Sequence, residues 1–223
     1  MEDRNAAERL AAVTGRIGAA AEAAGRDPSS VRLVAVSKLQ PEARVAGALE
    51  AGHRLFGENR VQEAEGRWPA FRERFPDIRL HLIGGLQTNK VRAAVRLFDV
   101  IETVDRPRLA AALAREFERT GRALPCFVQV NTGDEAQKGG VAPSALDGFL
   151  DECRTGYGLD VVGLMCIPPA EDLPGPHFAF LREAARRNGL GGLSMGMSAD
   201  FETAIRFGAT HVRVGSAVFG ARG

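Results

Sequence analysis

Two side chains stand where their chemistry is costly unless it is used. Lys38 follows the apolar run Leu33-Val34-Ala35-Val36, and Arg213 sits between Val212 and Val214. A lysine stem that starts at the edge of a buried sheet is partly desolvated, which weakens its hold on the proton. The neutral amine attacks an aldehyde and forms an imine. The plainer reading of Lys38 is a stem that snorkels to solvent at the rim of the fold. Arg213 alternates with apolar neighbours along a strand, so it should point inward. A buried guanidinium needs an acceptor. That acceptor is either a carboxylate such as Glu58 or a ring nitrogen of a bound heterocycle. Gly215 and Ser216 follow directly. Glycine lets the backbone approach a ligand closely, and serine offers a hydroxyl and an N–H. Ser198 can add a second hydroxyl. Alone the Gly-Ser pair reads as a turn; with Lys38 it suggests an aldehyde that carries a phosphate.

These residues need a scaffold that brings them together. Short β-rich runs cover Arg32–Val36, Arg54–Gly57, Leu80–Ile83, Val100–Thr103, Cys126–Val130, Val161–Met165, Gly192–Ser194 and His211–Val214. Helical composition fills Glu42–Ala51, Val61–Arg74, Asn89–Leu97, Arg106–Arg119, Ser144–Arg154, His177–Asn188 and Ala199–Phe207. Pro41, Pro107 and Pro143 suit first helical turns, and Ser198 suits an N-cap. Strands that alternate with helices imply parallel β/α units, and eight of them predict a closed (β/α)8 TIM-type barrel. An open, doubly wound sheet is the alternative. An extra N-terminal helix is marked by Leu10, Val13, Ile17, Ala20 and Ala24. It can pack where the last strand has no long helix after it. Residues 1–223 read as one domain, without linker or repeat.

In such barrels the active site forms at the C-terminal ends of the strands. That rule selects Ser37 and Lys38, Glu58 and Asn59, the Gly84–Asn89 segment, Asn131 and Thr132 with Lys138, Cys166, Met195–Ser198, and Gly215–Ser216. His81 reads as a satisfied core histidine; His53, His177 and His211 are expected away from this mouth.

Composition excludes several classes. A net charge of +1 gives no reason to expect nucleic acid or an anionic membrane. Cys126, Cys153 and Cys166 are odd in number and far apart, which argues against a disulfide framework or zinc site. No His/Cys/Asp/Glu set has metal-ligand spacing, and no glycine-rich segment has Walker or Rossmann spacing. The N-terminus lacks a secretory h-region, and no run of about 18 apolar residues is present. A soluble, cytoplasmic protein is expected.

The chain resembles the pyridoxal-phosphate homeostasis proteins, small single-domain relatives of the alanine racemase barrel. The segments that carry the resemblance are Ala35-Val36-Ser37-Lys38, Phe56-Gly57-Glu58-Asn59, His81-Leu82-Ile83-Gly84, Leu86-Gln87-Thr88-Asn89-Lys90, Gly163-Leu164-Met165, Ser194 to Asp200, Val212 to Gly220, and the loop from Asn131 to Gly139. Gly85 departs from the family pattern, where proline or histidine is usual. The resemblance implies pyridoxal phosphate as cofactor and Lys38 as its Schiff-base lysine. It implies Ser198, Gly215 and Ser216 at the phosphate, Arg213 at the pyridine nitrogen, and Asn59 lining the cofactor.

Turnover is a separate question. Pyridoxal phosphate is the better electron sink when its ring nitrogen is protonated, and Arg213 only donates. Racemisation also needs a second acid/base on the far side of the substrate. In alanine racemase a second domain of the partner subunit supplies a tyrosine for that role. Here no second domain is expected, and Tyr157, the only tyrosine, falls before the sixth strand at the opposite face. The expectation is a non-catalytic monomer that buffers pyridoxal phosphate or delivers it to apo-enzymes. A weak amino-acid racemase is the alternative, and an aldolase-type barrel with Lys38 bonded to substrate is a third reading.

Overall fold

The computed structural model describes residues 2–135 and 137–220. Eight parallel strands form in chain order: β1 (Arg32–Val36), β2 (Leu55–Glu58), β3 (Arg79–Leu82), β4 (Val100–Val104), β5 (Cys126–Val130), β6 (Val161–Cys166), β7 (Gly192–Ser194) and β8 (His211–Val214). Each pairs with its successor, and β8 returns to β1 through a register running from Arg32↔His211 to Ala35↔Val214. The sheet is therefore a closed barrel, and the open doubly wound alternative is excluded. The helices are α1 (Glu2–Ala23), α2 (Glu42–Glu50), α3 (Val61–Arg74), α4 (Val91–Leu97), α5 (Pro107–Thr120), α6 (Leu146–Asp151), α7 (Pro174–Arg187), α8 (Phe201–Arg206) and α9 (Ser216–Phe219).

Strand alternation divides the apolar residues into two groups. Leu33, Ala35, Phe56, Leu80, Leu82, Ile101, Val128, Leu164, Val212 and Val214 face outward into the layer shared with the helices. Val34 and Ile83 face inward instead; a Cβ built on Gly57 would lie 2.9 Å from a side-chain atom of each. The α1 helix packs on α2, α8 and α9 and buries Leu10, Val13, Ile17 and Ala21. It occupies the expected gap, and each large side chain buried there contributes about 2 kcal/mol.

Some predicted boundaries move. The Ser144–Arg154 segment is not one helix. A 3-10 turn at Pro143–Ala145 precedes α6, and a wider π turn at Glu152–Gly156 follows it. There the Thr155 hydroxyl donates to the Asp151 carbonyl, a local bond that competes with regular helix. The α7 helix begins three residues early because Pro174, at the first helical position, needs no N–H partner. Pro107 takes that position as predicted, whereas Pro41 stands one residue before α2. Ser198 is not an N-cap. Asp200 holds the cap position of α8, and its Oδ1 accepts from Met197 N at 2.6 Å.

Candidate functional site

Lys38 leaves the barrel on a four-residue turn, Ser37 to Gln40, closed by Gln40 N–H donating to the Ser37 carbonyl at 3.1 Å. In the type II form of such a turn the third residue takes positive φ and is usually glycine. Here it is Leu39, at φ 57 and exposed. The left-handed conformation costs a non-glycine residue about 1 kcal/mol. Arg67 on α3 holds the turn in shape: its two terminal nitrogens donate to Ser37 O at 3.0 Å and Gln40 O at 2.6 Å. The Ser37 hydroxyl donates to Glu58 Oε1 at 2.7 Å, and Trp68 Nε1 donates to the same oxygen at 3.1 Å. Glu58 therefore faces the helix layer, outside the barrel. Burial pushes its carboxyl pKa up, against the hydrogen bonds from Ser37 and Trp68. Its second oxygen, Oε2, is buried without a hydrogen-bond partner.

Arg213 does point inward, as alternation required, and only 4% of it is exposed. Glu58 is not its partner, because the two face opposite sides of the wall. Arg213 instead donates to Ser194 Oγ at 2.7 Å and to the Cys166 carbonyl at 2.8 Å. Ser194 Oγ in turn donates to Glu102 Oε2 at 2.6 Å, and His81 Nδ1 donates to Glu102 Oε1 at 2.6 Å. Strands β4 and β7 are not neighbours, so this chain crosses the barrel interior. Glu102 is fully buried. Burial alone would raise its pKa, but the His81 bond and charge, the Arg213 charge and the Ser194 bond outweigh it and bring it to about 2. A guanidinium has five N–H groups. Two of Arg213's are used, and the other three have no protein partner among the described residues.

The remaining candidates gather at the same end of the barrel. Ser198 follows β7, Gly215 and Ser216 follow β8, and the two serine hydroxyls lie 3.3 Å apart. A Cβ on Gly215 would meet Val36 O at 3.2 Å, so the ends of β1 and β8 approach closely there. Gly196 has φ +91, and a Cβ on it would fall 2.5 Å from that of Ala204. Asn59 follows β2 with its side-chain oxygen buried and unpartnered. A Cβ on Gly84 would come within 2.2 Å of the Asn59 carbonyl, so only glycine lets the loops after β2 and β3 cross. A Cβ built on Gly85 would meet no atom within 4 Å.

One expectation about the histidines needs correction. His177 is not remote from this mouth: in the first turn of α7 it reaches the Thr132 carbonyl after β5 at 3.2 Å. His211 lies within β8 and points inward near the other mouth, its ring 5.8 Å from that of His81. Burial lowers its pKa to about 4. Cys166 is the last residue of β6, buried like Cys126 and Cys153; burial raises its thiol to about 12. Lys138 is held by Glu135 at 2.5 Å and by the Pro168 carbonyl at 3.3 Å. Tyr157 precedes β6, as expected, and donates to Glu152 at 2.7 Å. Glu102, Ser194 and Arg67 were missed. Glu102 carried a signal: a carboxylate in the middle of a buried strand must be paired.

A half-buried lysine, an inward arginine and paired hydroxyls gather at the strand ends of a closed barrel, and comparison identifies its class. The alanine racemase N-terminal domain family matches residues 9–223. Alanine racemase from Clostridium difficile, 14% identical, superposes with a TM-score of 0.74 over 98% of this chain and 57% of its own, which speaks to the fold alone. Within that class the chain belongs to the pyridoxal phosphate homeostasis protein family. A protein of that name from Pseudomonas aeruginosa is 44% identical over 97% of this chain and 95% of its own length. The Escherichia coli protein of that name is 38% identical over 97% and 96%. The structure of PipY from Synechococcus elongatus with PLP bound is 38% identical, with a TM-score of 0.81 over 96% of this chain and all of that one.

Proposed function

We propose that the chain is a single barrel domain that binds pyridoxal phosphate at its C-terminal mouth and serves intracellular homeostasis of that cofactor. It buffers or delivers the cofactor to apo-enzymes, as a monomer in the cytoplasm, without turnover. The observation that carries this reading is Arg213: a buried guanidinium at the site with three N–H groups unspent suits the acceptor nitrogen of a pyridine ring. The donor set fits the other ends of the molecule. Lys38 supplies an amine, Ser198 and Ser216 supply hydroxyls, Gly215 leaves room for a phosphate, and Asn59 lines the mouth. When bound, the cofactor offers an aldehyde that condenses with the Lys38 amine to a Schiff base and releases one water.

The same residues argue against catalysis. Arg213 donates and cannot protonate the ring nitrogen, which weakens the ring as an electron sink. Tyr157 is engaged by Glu152 at the other end of β6. The named relatives support the homeostatic role, and PipY with PLP bound supports the cofactor. No described helix is long and apolar enough to cross a membrane, and the three cysteines are free, which suits a reducing compartment.

Protein purified from cofactor-replete cells should absorb in the near-visible, bleach with borohydride and carry the label on Lys38. Loaded protein should transfer cofactor to an apo-enzyme. Colourless protein would overturn the reading. So would sustained turnover of an amino acid that Lys38→Ala abolishes, which would favour the weak racemase.

A further inference from the structure

We propose that Glu102 is a positioning residue for the cofactor's ring nitrogen, acting on Arg213 through Ser194. The proposal rests on the cofactor reading above only for what Arg213 faces.

The direction of every bond in the relay is fixed by chemistry. An ionised carboxylate only accepts. The single proton of the Ser194 hydroxyl must therefore point to Glu102 Oε2, 2.6 Å away. That orientation leaves a serine lone pair, and Arg213 donates to it at 2.7 Å. His81 occupies the other carboxylate oxygen at 2.6 Å, so Glu102 cannot rotate without losing a charge-assisted bond. The Cys166 carbonyl fixes the second arm of the guanidinium. The plane of Arg213 is thus set by two strands other than its own.

The serine spacer also explains how Arg213 remains available. A buried arginine is ordinarily neutralised by a carboxylate that grips its fork in two places. Such a grip would consume N–H groups a ligand could use. One hydroxyl in between keeps the negative charge near the guanidinium, yet takes up a single N–H. Without the carboxylate, the Ser194 proton is free to turn toward Arg213 and oppose its donation.

The test has one arm with cofactor and one without. Nitrogen NMR of cofactor-free protein, with Arg213 assigned through Arg213→Gln, should show slowly rotating guanidinium resonances in wild type. Glu102→Gln and Ser194→Ala should both lose them; unchanged resonances in either would overturn the relay. With cofactor, Glu102→Gln should weaken binding about tenfold, as expected for a lost charge-assisted hydrogen bond, and shift the imine absorption maximum. In an Arg213→Gln background the same substitution should change affinity by less than about twofold, since coupled residues are not additive. Equal losses in both backgrounds would mean that Glu102 only supports the fold and would sink the proposal. If Glu102→Gln does not fold, Ser194→Ala carries both arms, because it breaks the same link with the carboxylate in place. A wild type without an imine band would overturn the cofactor reading, and the NMR arm would still decide the relay.

Discussion

Glu58 and Glu102 are both buried, at 1% and 0% exposure, and both belong to the barrel wall, yet their carboxyl pKa values move in opposite directions. Glu102 faces the interior, where each of its oxygens receives a hydrogen bond and the Arg213 charge lies beyond Ser194. Its pKa falls to about 2. Glu58 faces the helices. One oxygen takes both available donors, the other has no partner, and the Arg67 guanidinium stands off at 3.5 Å. Its pKa rises. The desolvation cost is common to the two; what differs is how many donors arrive to offset it. The inner carboxylate is a fixed charge, and the outer one is a shape-holding hydrogen-bond acceptor behind the Lys38 turn.

The largest effect should come from the inner site. Glu102→Gln strands a buried arginine and a buried histidine, which should cost about 3 kcal/mol in denaturant unfolding. The sign with pH follows from the lowered pKa. Glu102 contributes stability that is full above the ordinary glutamate range and is lost as pH falls toward 2. Wild type should therefore lose its advantage over the variant in that window, and a constant gap down to pH 2 would mean that the charge is irrelevant. Next comes the clamp around Lys38. Arg67→Ala removes two hydrogen bonds to backbone carbonyls and should cost about 1 to 2 kcal/mol. Hydrogen exchange should quicken at Gln40, whose N–H closes the turn; unchanged exchange would show that the turn holds itself. The smallest effect belongs to Glu58→Gln, within about 1 kcal/mol, because the variant gives up a charge that burial disfavours. A carboxyl with a raised pKa contributes stability below the ordinary glutamate range and loses it as pH rises through the folded value. That downward slope should be absent from the variant; if it persists, Glu58 is not its source.

The sequence made the frame of this comparison legible but not its content. Period-two alternation around Arg213 and the β/α rhythm were enough for the barrel, its closure and the inward arginine. The partner of Arg213 was not legible, since Glu102 and Ser194 lie 111 and 19 residues away on strands that meet it only inside a closed sheet. Glu58 invited the wrong pairing because it, too, ends a strand at the right mouth. Only the register decides that its side chain turns to Trp68. Helix ends were the least legible, as at Ser198, where the cap passed to Asp200 two residues on.

Ring closure also sets a timetable. Lys38 follows the first strand and Gly215 the last, and the two ends adjoin only when β8 pairs with β1. At about 5 to 20 residues per second, a ribosome takes roughly 10 to 40 seconds to travel from one to the other. Throughout that interval the nascent chain has its lysine but neither Arg213 nor Ser216. A reactive aldehyde that met it then would find an ordinary amine, and the selective site comes into being only as the final strand emerges.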